Sequence, residues 1–123
     1  MTTKRILVID DEDGVREIIQ FSLEVVAKWQ VFTATSGKEG LVMAPANLPD
    51  AILLDVMMPD LDGPGTFQLL QANPLTQPIP TIFLTAKAST NEHQQLMSLG
   101  VAGVITKPFK AQDLVAQIQK ILH

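Results

Sequence analysis

Apolar residues fall along this chain in short unbroken runs, separated by longer stretches where they recur at helical spacing. The runs are Ile6–Ile9, a weaker one over about Gln30–Ala34, then Ala51–Leu54, about Thr81–Leu84 and about Gly103–Ile105. Short runs of this kind fit strands buried on both faces, as in parallel sheets covered by crossover helices. After the first run, Val15, Ile18, Ile19, Leu23 and Val26 predict a helix from about Gly14 to Ala27, with Asp13 placed to cap it. Ser36-Gly37-Lys38-Glu39 reads as a capping box for a short second helix that stops by Pro45. Pro64, tolerated in a first turn, starts a third helix through about Gln71, and Asn73–Pro80 follows as a turn-rich connection. Ser89-Thr90-Asn91-Glu92 is a second capping box, before a helix to Leu99. The last helix, from about Ala111 to Leu122, carries Leu114, Val115, Ile118, Ile121 and Leu122 on one face.

Strand and helix thus alternate five times, too few units for an eight-stranded barrel. The expected fold is α/β, a doubly wound five-stranded parallel sheet with five helices. The second strand is the least apolar, as an edge strand can be, which favours the order 2-1-3-4-5. The switch point then lies between the first and third strands, and chemistry collects outside the carboxyl ends of strands there. Asp10 and Asp11 follow the first strand, Asp55 the third, Thr85 the fourth, and Lys107 the fifth.

A single carboxylate after a strand often only caps the next helix. Two adjacent acids facing a third are harder to explain so, because they repel one another and burial raises their pKa values. A divalent cation removes that conflict, and all-oxygen ligation by carboxylates, a carbonyl and waters suits magnesium. An EF-hand is excluded at both Asp-Gly sites: Ile9 or Met58 would be the first ligand, and Gln20 or Leu69 the closing Glu. Thr85 and Lys107 are weak signals singly, but Lys107-Pro108 can take a cis bond that fixes how the lysine is aimed. A hydroxyl and an ammonium beside a metal-bound carboxylate make sense if a phosphoryl group is held. Asp55 would be the nucleophile, with catalysis mostly by positioning and charge neutralisation.

Composition narrows the class. The chain has 123 residues, 46% of them hydrophobic, enough for one domain over 1–123 with its own core. It has no cysteine, which excludes disulfides and thiolate chemistry. No apolar stretch is long enough to span a bilayer, and the first five residues lead straight into a strand without a signal peptide. A cytoplasmic location is therefore expected, with no membrane partner. The net charge of −4 argues against a nucleic-acid surface. His93 and His123 stand alone and are expected to face solvent, as neither phosphodonors nor ligands.

Over its entire length the chain resembles the receiver domains of two-component response regulators, including single-domain chemotaxis regulators. The resemblance rests on Val8-Ile9-Asp10-Asp11-Glu12, Leu53-Leu54-Asp55-Val56-Met57-Met58-Pro59, Asp62-Gly63, Leu84-Thr85-Ala86 and Lys107-Pro108-Phe109, in that order. It implies a flavodoxin-like receiver fold in which Asp55 accepts a phosphoryl group from a histidine kinase or phosphotransfer protein. It further implies that Asp11, Asp55 and the backbone carbonyl of Met57 bind magnesium, with Asp10 helping directly or through water. Thr85 and Lys107 would read the phosphoryl group and reposition a face made by the fourth helix, fifth strand and fifth helix, to bind a downstream protein target. Such a domain is a phosphoacceptor that assists its own phosphotransfer and dephosphorylation, not an enzyme in the usual sense.

Two departures stand out. Val104 occupies the place, three residues before the lysine, where the family often has a switching aromatic. Pro64-Gly65 in the third helix's first turn is also unusual, since Gly there costs about 1 kcal/mol relative to Ala. Among other classes, a flavodoxin-like cofactor binder needs a phosphate loop, and Asp10-Asp11-Glu12-Asp13 would repel a phosphate. An aspartyl phosphatase would usually carry a second acid where Met57 stands. A degenerate receiver acting only in protein contacts would have lost some of the site residues.

Overall fold

Five parallel strands set the layering: β1 (Arg5–Ile9), β2 (Gln30–Ala34), β3 (Ala51–Asp55), β4 (Thr81–Thr85) and β5 (Gly103–Thr106). They pair in the order β2-β1-β3-β4-β5, as the apolar pattern predicts. The computed structural model describes residues 3–87 and 89–122, so His123 lies outside the described residues. The flanking helices are α1 (Asp13–Phe21), α2 (Gly37–Asn47), α3 (Gly63–Ala72), α4 (Thr90–Met97) and α5 (Ala111–Ile121).

Period-two alternation divides the strands between two cores. Ile6, Val8, Leu53, Ile82, Leu84 and Ile105 face Ile19 and Leu23 near α1 and Leu114 and Ile118 of α5. Leu7, Ile9, Ile52, Leu54 and Phe83 face the opposite way, against Ala44 of α2 and Phe67 and Leu70 of α3. Because both faces are covered, β1, β3 and β4 read as continuous apolar runs. At the edge, β2 keeps only Ala34 buried.

Two helices depart from the sequence expectation. Asp13 is not the cap of α1; Glu12 holds that place without a side-chain bond, and Asp13 pairs with Arg16 inside the first turn. Beyond Phe21 the chain continues not as α-helix but as a π-helical turn, Ser22–Val26. Ser22 Oγ donates to the Ile18 carbonyl at 2.7 Å, a back-bond that competes with the regular ladder. The wider turn breaks the expected stripe: Ile19 and Leu23 are buried, whereas Ile18 and Val26 are 56% and 43% exposed.

In α2 the helix does not stop by Pro45 but runs through it to Asn47. Pro45 lies in the last turn, so its missing N–H removes one bond near an end that would fray anyway. The helix closes when Leu48 turns left-handed at φ 46° and its N–H donates to Ala44. In α3 the unusual start has a local cause. Asp62 accepts from the Gly65 N–H at 2.8 Å, and a Cβ on Gly65 would lie 3.1 Å from the capping carboxylate oxygen.

Gly63 is hemmed in by backbone near the sheet edge. A Cβ there would sit 2.5 Å from the Asp55 carbonyl oxygen and 2.7 Å from the Val56 Cα, backbone atoms that cannot swing aside. Its N–H also donates to the Val56 carbonyl at 3.0 Å, folding the loop back beneath Asp55. Gly63→Ala should therefore cost about 2 kcal/mol, within the range for overpacking. Equilibrium urea unfolding checks this, and a wild-type midpoint would show that the loop has room the structure denies.

Candidate functional site

The carboxyl ends of β1, β3 and β5 deliver charge to one point. Asp10 follows β1 fully buried, Asp55 ends β3 at 2% exposure, and Asp11 beside them is exposed. One carboxylate oxygen from each of Asp10, Asp11 and Asp55 lies within 4.8 Å of the others. Lys107 enters just after β5, its Nζ 3.0 Å from Asp55 Oδ1 and 3.3 Å from Asp10 Oδ2. Asp10 is held further by the Glu12 N–H, which donates to Oδ1 at 2.9 Å. Lys107-Pro108 is a cis peptide.

Alternation explains why these groups converge. Asp55 continues the Ala51–Leu53 side of β3 and Asp10 the Ile6–Val8 side of β1, so both face α1. Lys107 continues the Ile105 side of β5 and points the same way. Its own N–H donates to the Thr85 carbonyl at 2.7 Å, which fixes its height along the strand ends.

Thr85 is placed differently from the other site residues. It follows Leu84 and therefore lies on the α4 side of the sheet, buried at 2% exposure. Its hydroxyl accepts the Lys87 N–H at 3.1 Å and makes no hydrogen bond to Asp55. Met57 stands two residues beyond Asp55 with its side chain 65% exposed at the mouth of the pocket.

Desolvation dominates the electrostatics of Asp55. Its carboxyl is raised from 3.8 to about 6: burial is the largest cause, the Lys107 hydrogen bond opposes it, and the neighbouring charge of Asp10 adds to it. For Lys107, burial acts against the charged form, but the Asp55 hydrogen bond and the nearby carboxylates outweigh it and raise its pKa. The second oxygen of Asp55, Oδ2, is buried with no hydrogen-bond partner among the described residues. An orphaned carboxylate oxygen is costly inside a protein. Beside two further carboxylates, it is a donor set that a hard, oxygen-preferring cation fits.

The sequence left three contributors unrecognised. Arg16, only 14% exposed at its side chain, donates from Nη1 to the Asp10 carbonyl at 2.8 Å and ties α1 to the acidic turn. Thr106, the strand residue before Lys107, points to the α4 side. His93 is not a lone solvent-facing histidine: it is half-buried, with Nε2 3.0 Å from the Lys87 carbonyl and 3.1 Å from Thr106 Oγ1. Thr106 was legible from alternation along β5; nothing in the local pattern around His93 announces its contacts.

An open parallel sheet that gathers three acids and a lysine at its switch point defines an α/β domain with an acidic pocket. Residues 6–119 match the response regulator receiver domain, and the chain belongs to that family. It is 38% identical over 120 residues to the alkaline phosphatase synthesis transcriptional regulatory protein PhoP of Bacillus subtilis, covering 98% of this chain and 49% of that protein. The chain thus spans about half the length of the curated relatives it matches. Among solved structures, it is similar to the chemotaxis response regulator CheY4 of Vibrio cholerae, with a TM-score of 0.90, 28% identity and 98% and 99% of the two chains covered. It is also similar to the receiver domain of a sensor histidine kinase from Pseudomonas aeruginosa, whose structure has a magnesium ion coordinated in the active-site cleft. That likeness has a TM-score of 0.87 and 26% identity, over 98% of each chain.

The raised carboxyl predicts how metal-free stability depends on pH. Between its ordinary value of 3.8 and about 6, folded Asp55 holds a proton that the unfolded chain has lost. Its contribution is therefore complete below pH 4 and is lost as pH rises through about 6. In chelator, Asp55→Asn should gain on the wild type by about 2 kcal/mol between pH 4 and pH 7.5. Thermal unfolding across that range checks it; a difference that does not change with pH would place the Asp55 carboxyl at its ordinary value.

Proposed function

We propose that this domain is a phosphoacceptor of a two-component phosphorelay and that Asp55 is the residue phosphorylated. The observation that carries the reading is the Asp55 carboxylate itself, buried, bonded by Lys107 on one oxygen and unpartnered on the other, beside Asp10 and Asp11. A carboxylate oxygen of Asp55 attacks phosphorus, the O–P bond forms, and the donor's N–P bond breaks. The leaving imidazole of a histidine kinase or phosphotransfer protein takes up a proton as it departs. Lys107 is already within bonding distance of Asp55 and neutralises charge that develops on the transferred group. Thr85 binds the phosphoryl group once its hydroxyl turns from Lys87.

Asp10, Asp11, Asp55 and the Met57 carbonyl would hold Mg2+, which supplies charge neutralisation and orientation for in-line transfer. The remaining work is positioning, and the protein is not an enzyme in the turnover sense. A cleft of about 320 Å3 opens beside the site between α1 and the segment after β5, lined by Val15, Ile18, Pro108 and Phe109 with Glu12 and Lys107 at the polar end. Further along the same segment, Phe21 and Val25 are 59% and 48% exposed. That combination suits the helical surface of a phosphodonor protein and supports a kinase or phosphotransfer partner. The output is a downstream protein target, reached in the cytoplasm without nucleic acid binding by this domain. No helix among the described residues is long and apolar enough to cross a membrane.

With magnesium and acetyl phosphate, the protein should gain one acid-stable, base-labile phosphoryl group. Asp55→Asn should abolish labelling and EDTA should suppress it; undiminished labelling of the Asn variant would move the site elsewhere. Asp11→Asn should weaken magnesium binding by about tenfold or more, measured by titration. An unchanged affinity would remove Asp11 from the ligand set.

A further inference from the structure

Helix α4 is the most weakly seated of the five helices. It has no buried residue; Leu96 packs partly against the second core, where Val104 of β5 also lies. One turn earlier on α4, at i−3, stands His93, and two residues later on β5, on the same face, stands Thr106. The two helix positions and the two strand positions therefore run side by side, Leu96 near Val104 and His93 on Thr106.

The protonation of the ring follows from its partners. The Lys87 carbonyl, 3.0 Å from His93 Nε2, can only accept, so Nε2 carries the hydrogen. Thr106 Oγ1 at 3.1 Å accepts a share of the same hydrogen, giving a three-centre bond. Lys87 in turn gives its N–H to the Thr85 hydroxyl at 3.1 Å. Thr85 and Thr106 are register partners on neighbouring strands, and the Thr85 carbonyl accepts the Lys107 N–H. The bonds thus close a circuit from the Thr85 hydroxyl through Lys87, His93 and Thr106 to the backbone of Lys107. The exposed Lys87–Glu92 pair at 3.8 Å lies outside this circuit and adds little in water.

We propose that His93 is a positioning residue, a latch that holds the Thr85 hydroxyl away from Asp55 and α4 against β5 until phosphorylation. The inference rests on Asp55 being the phosphoacceptor. Thr85 cannot bond a phosphoryl group on Asp55 from where its hydroxyl now points. Turning it inward gives up the Lys87 N–H and slackens the loop whose carbonyl His93 holds. The imidazole then loses one acceptor, and α4 loses a polar anchor at a helix with no buried residue. In this chain the coupling runs through a helix histidine and a strand threonine, while Val104 remains a packing residue.

A contact made only in the latched arrangement favours that arrangement, so removing it shifts the population toward the one that accepts phosphate. His93→Ala and Thr106→Val should each be labelled by acetyl phosphate about two- to tenfold faster than wild type, the factor one hydrogen bond supplies. The double variant should be no faster than His93→Ala alone, because the Thr106 contact is one of the two that His93→Ala already removes. His93→Gln, whose amide can still donate, should restore the slow rate. Magnesium affinity should be unchanged in all four. Single variants that label at the wild-type rate, additive rates in the double variant, or a Gln variant as fast as Ala would overturn the latch. A wild-type protein that takes no label at Asp55 would overturn the phosphoacceptor reading and the latch with it, a result distinct from the others. Independently of any variant, imidazole nitrogen NMR of the wild type should show the Nε2–H tautomer, with that resonance shifted on adding magnesium and beryllofluoride. A resonance that beryllofluoride binding leaves in place would overturn the latch even if the variants fail to fold.

Discussion

Two buried carboxylates share one ammonium, and the rest of the site depends on that imbalance. Asp10 and Asp55 face the same side of the sheet, with Lys107 3.3 Å and 3.0 Å away. A buried ion pair is worth little net stability against an apolar replacement, yet removing one partner costs roughly 3–5 kcal/mol. Here the pairing is incomplete even in the intact protein, since two acids meet one base and Asp55 Oδ2 has no partner. Burial raises the Asp55 carboxyl, and the neighbouring charge of Asp10 adds to that rise. A fold with such a pocket is stabilised by whatever brings positive charge to it, and its architecture changes balance when the charge there changes.

The strand ends translate that local imbalance to another face. Period-two alternation sends Lys107 toward the acids on the α1 side, while Thr106, one residue earlier, points to α4. On β4 the same alternation sends Thr85 to the α4 side, although its carbonyl holds the backbone of Lys107. Groups that meet the phosphoryl chemistry and groups that touch α4 are therefore adjacent in the chain and paired across the ladder, with no long path between them. Because α4 has no buried residue, a small change in polar contacts there is comparable to what seats the helix. On the opposite side, Ile118 and Leu114 bury α5 completely at those positions, so α5 is the fixed element of that end.

Much of this was legible in the sequence because buried parallel strands leave a strong one-dimensional signal. The apolar runs placed all the strands, the polar second run placed the edge, and the residues closing the runs placed Asp10, Asp55, Thr85 and Lys107 at one edge. What failed was governed by single bonds. Ser22 bonding back to Ile18 accompanies a π turn at the end of the first helix, which shifts the register beyond it and leaves Val26 exposed, as a 3.6-residue period cannot foresee. Pro45 reads as a stop, but a proline in a last turn removes only one bond and the helix runs on to Asn47. Gly65 had no account until the capping carboxylate of Asp62 was seen beside it. His93 was misread because its partners lie in a loop and on a strand, neither of which is visible from its own helix.

The helix beside the pocket, α1, and the proposed latch on α4 lie on opposite faces of the sheet, and that separation has a functional logic. On the proposed phosphoacceptor reading, a phosphodonor must approach Asp55 closely, and the apolar surface beside the pocket is formed by Val15, Ile18, Pro108 and Phe109. The helix bearing Val15 and Ile18 is anchored by Ile19 and Leu23 in the first core and by Arg16 on the Asp10 carbonyl. It is thus a rigid platform, as a docking surface that must orient a transfer needs to be. The proposed response falls to α4, across the sheet, which is held by partial packing at Leu96 and polar contacts at His93. With the anchored helix and the weakly packed one on opposite faces, the proposed response of α4 would leave a donor seated on α1 undisturbed. Phosphate transfer and the conformational answer to it then need not compete for the same surface.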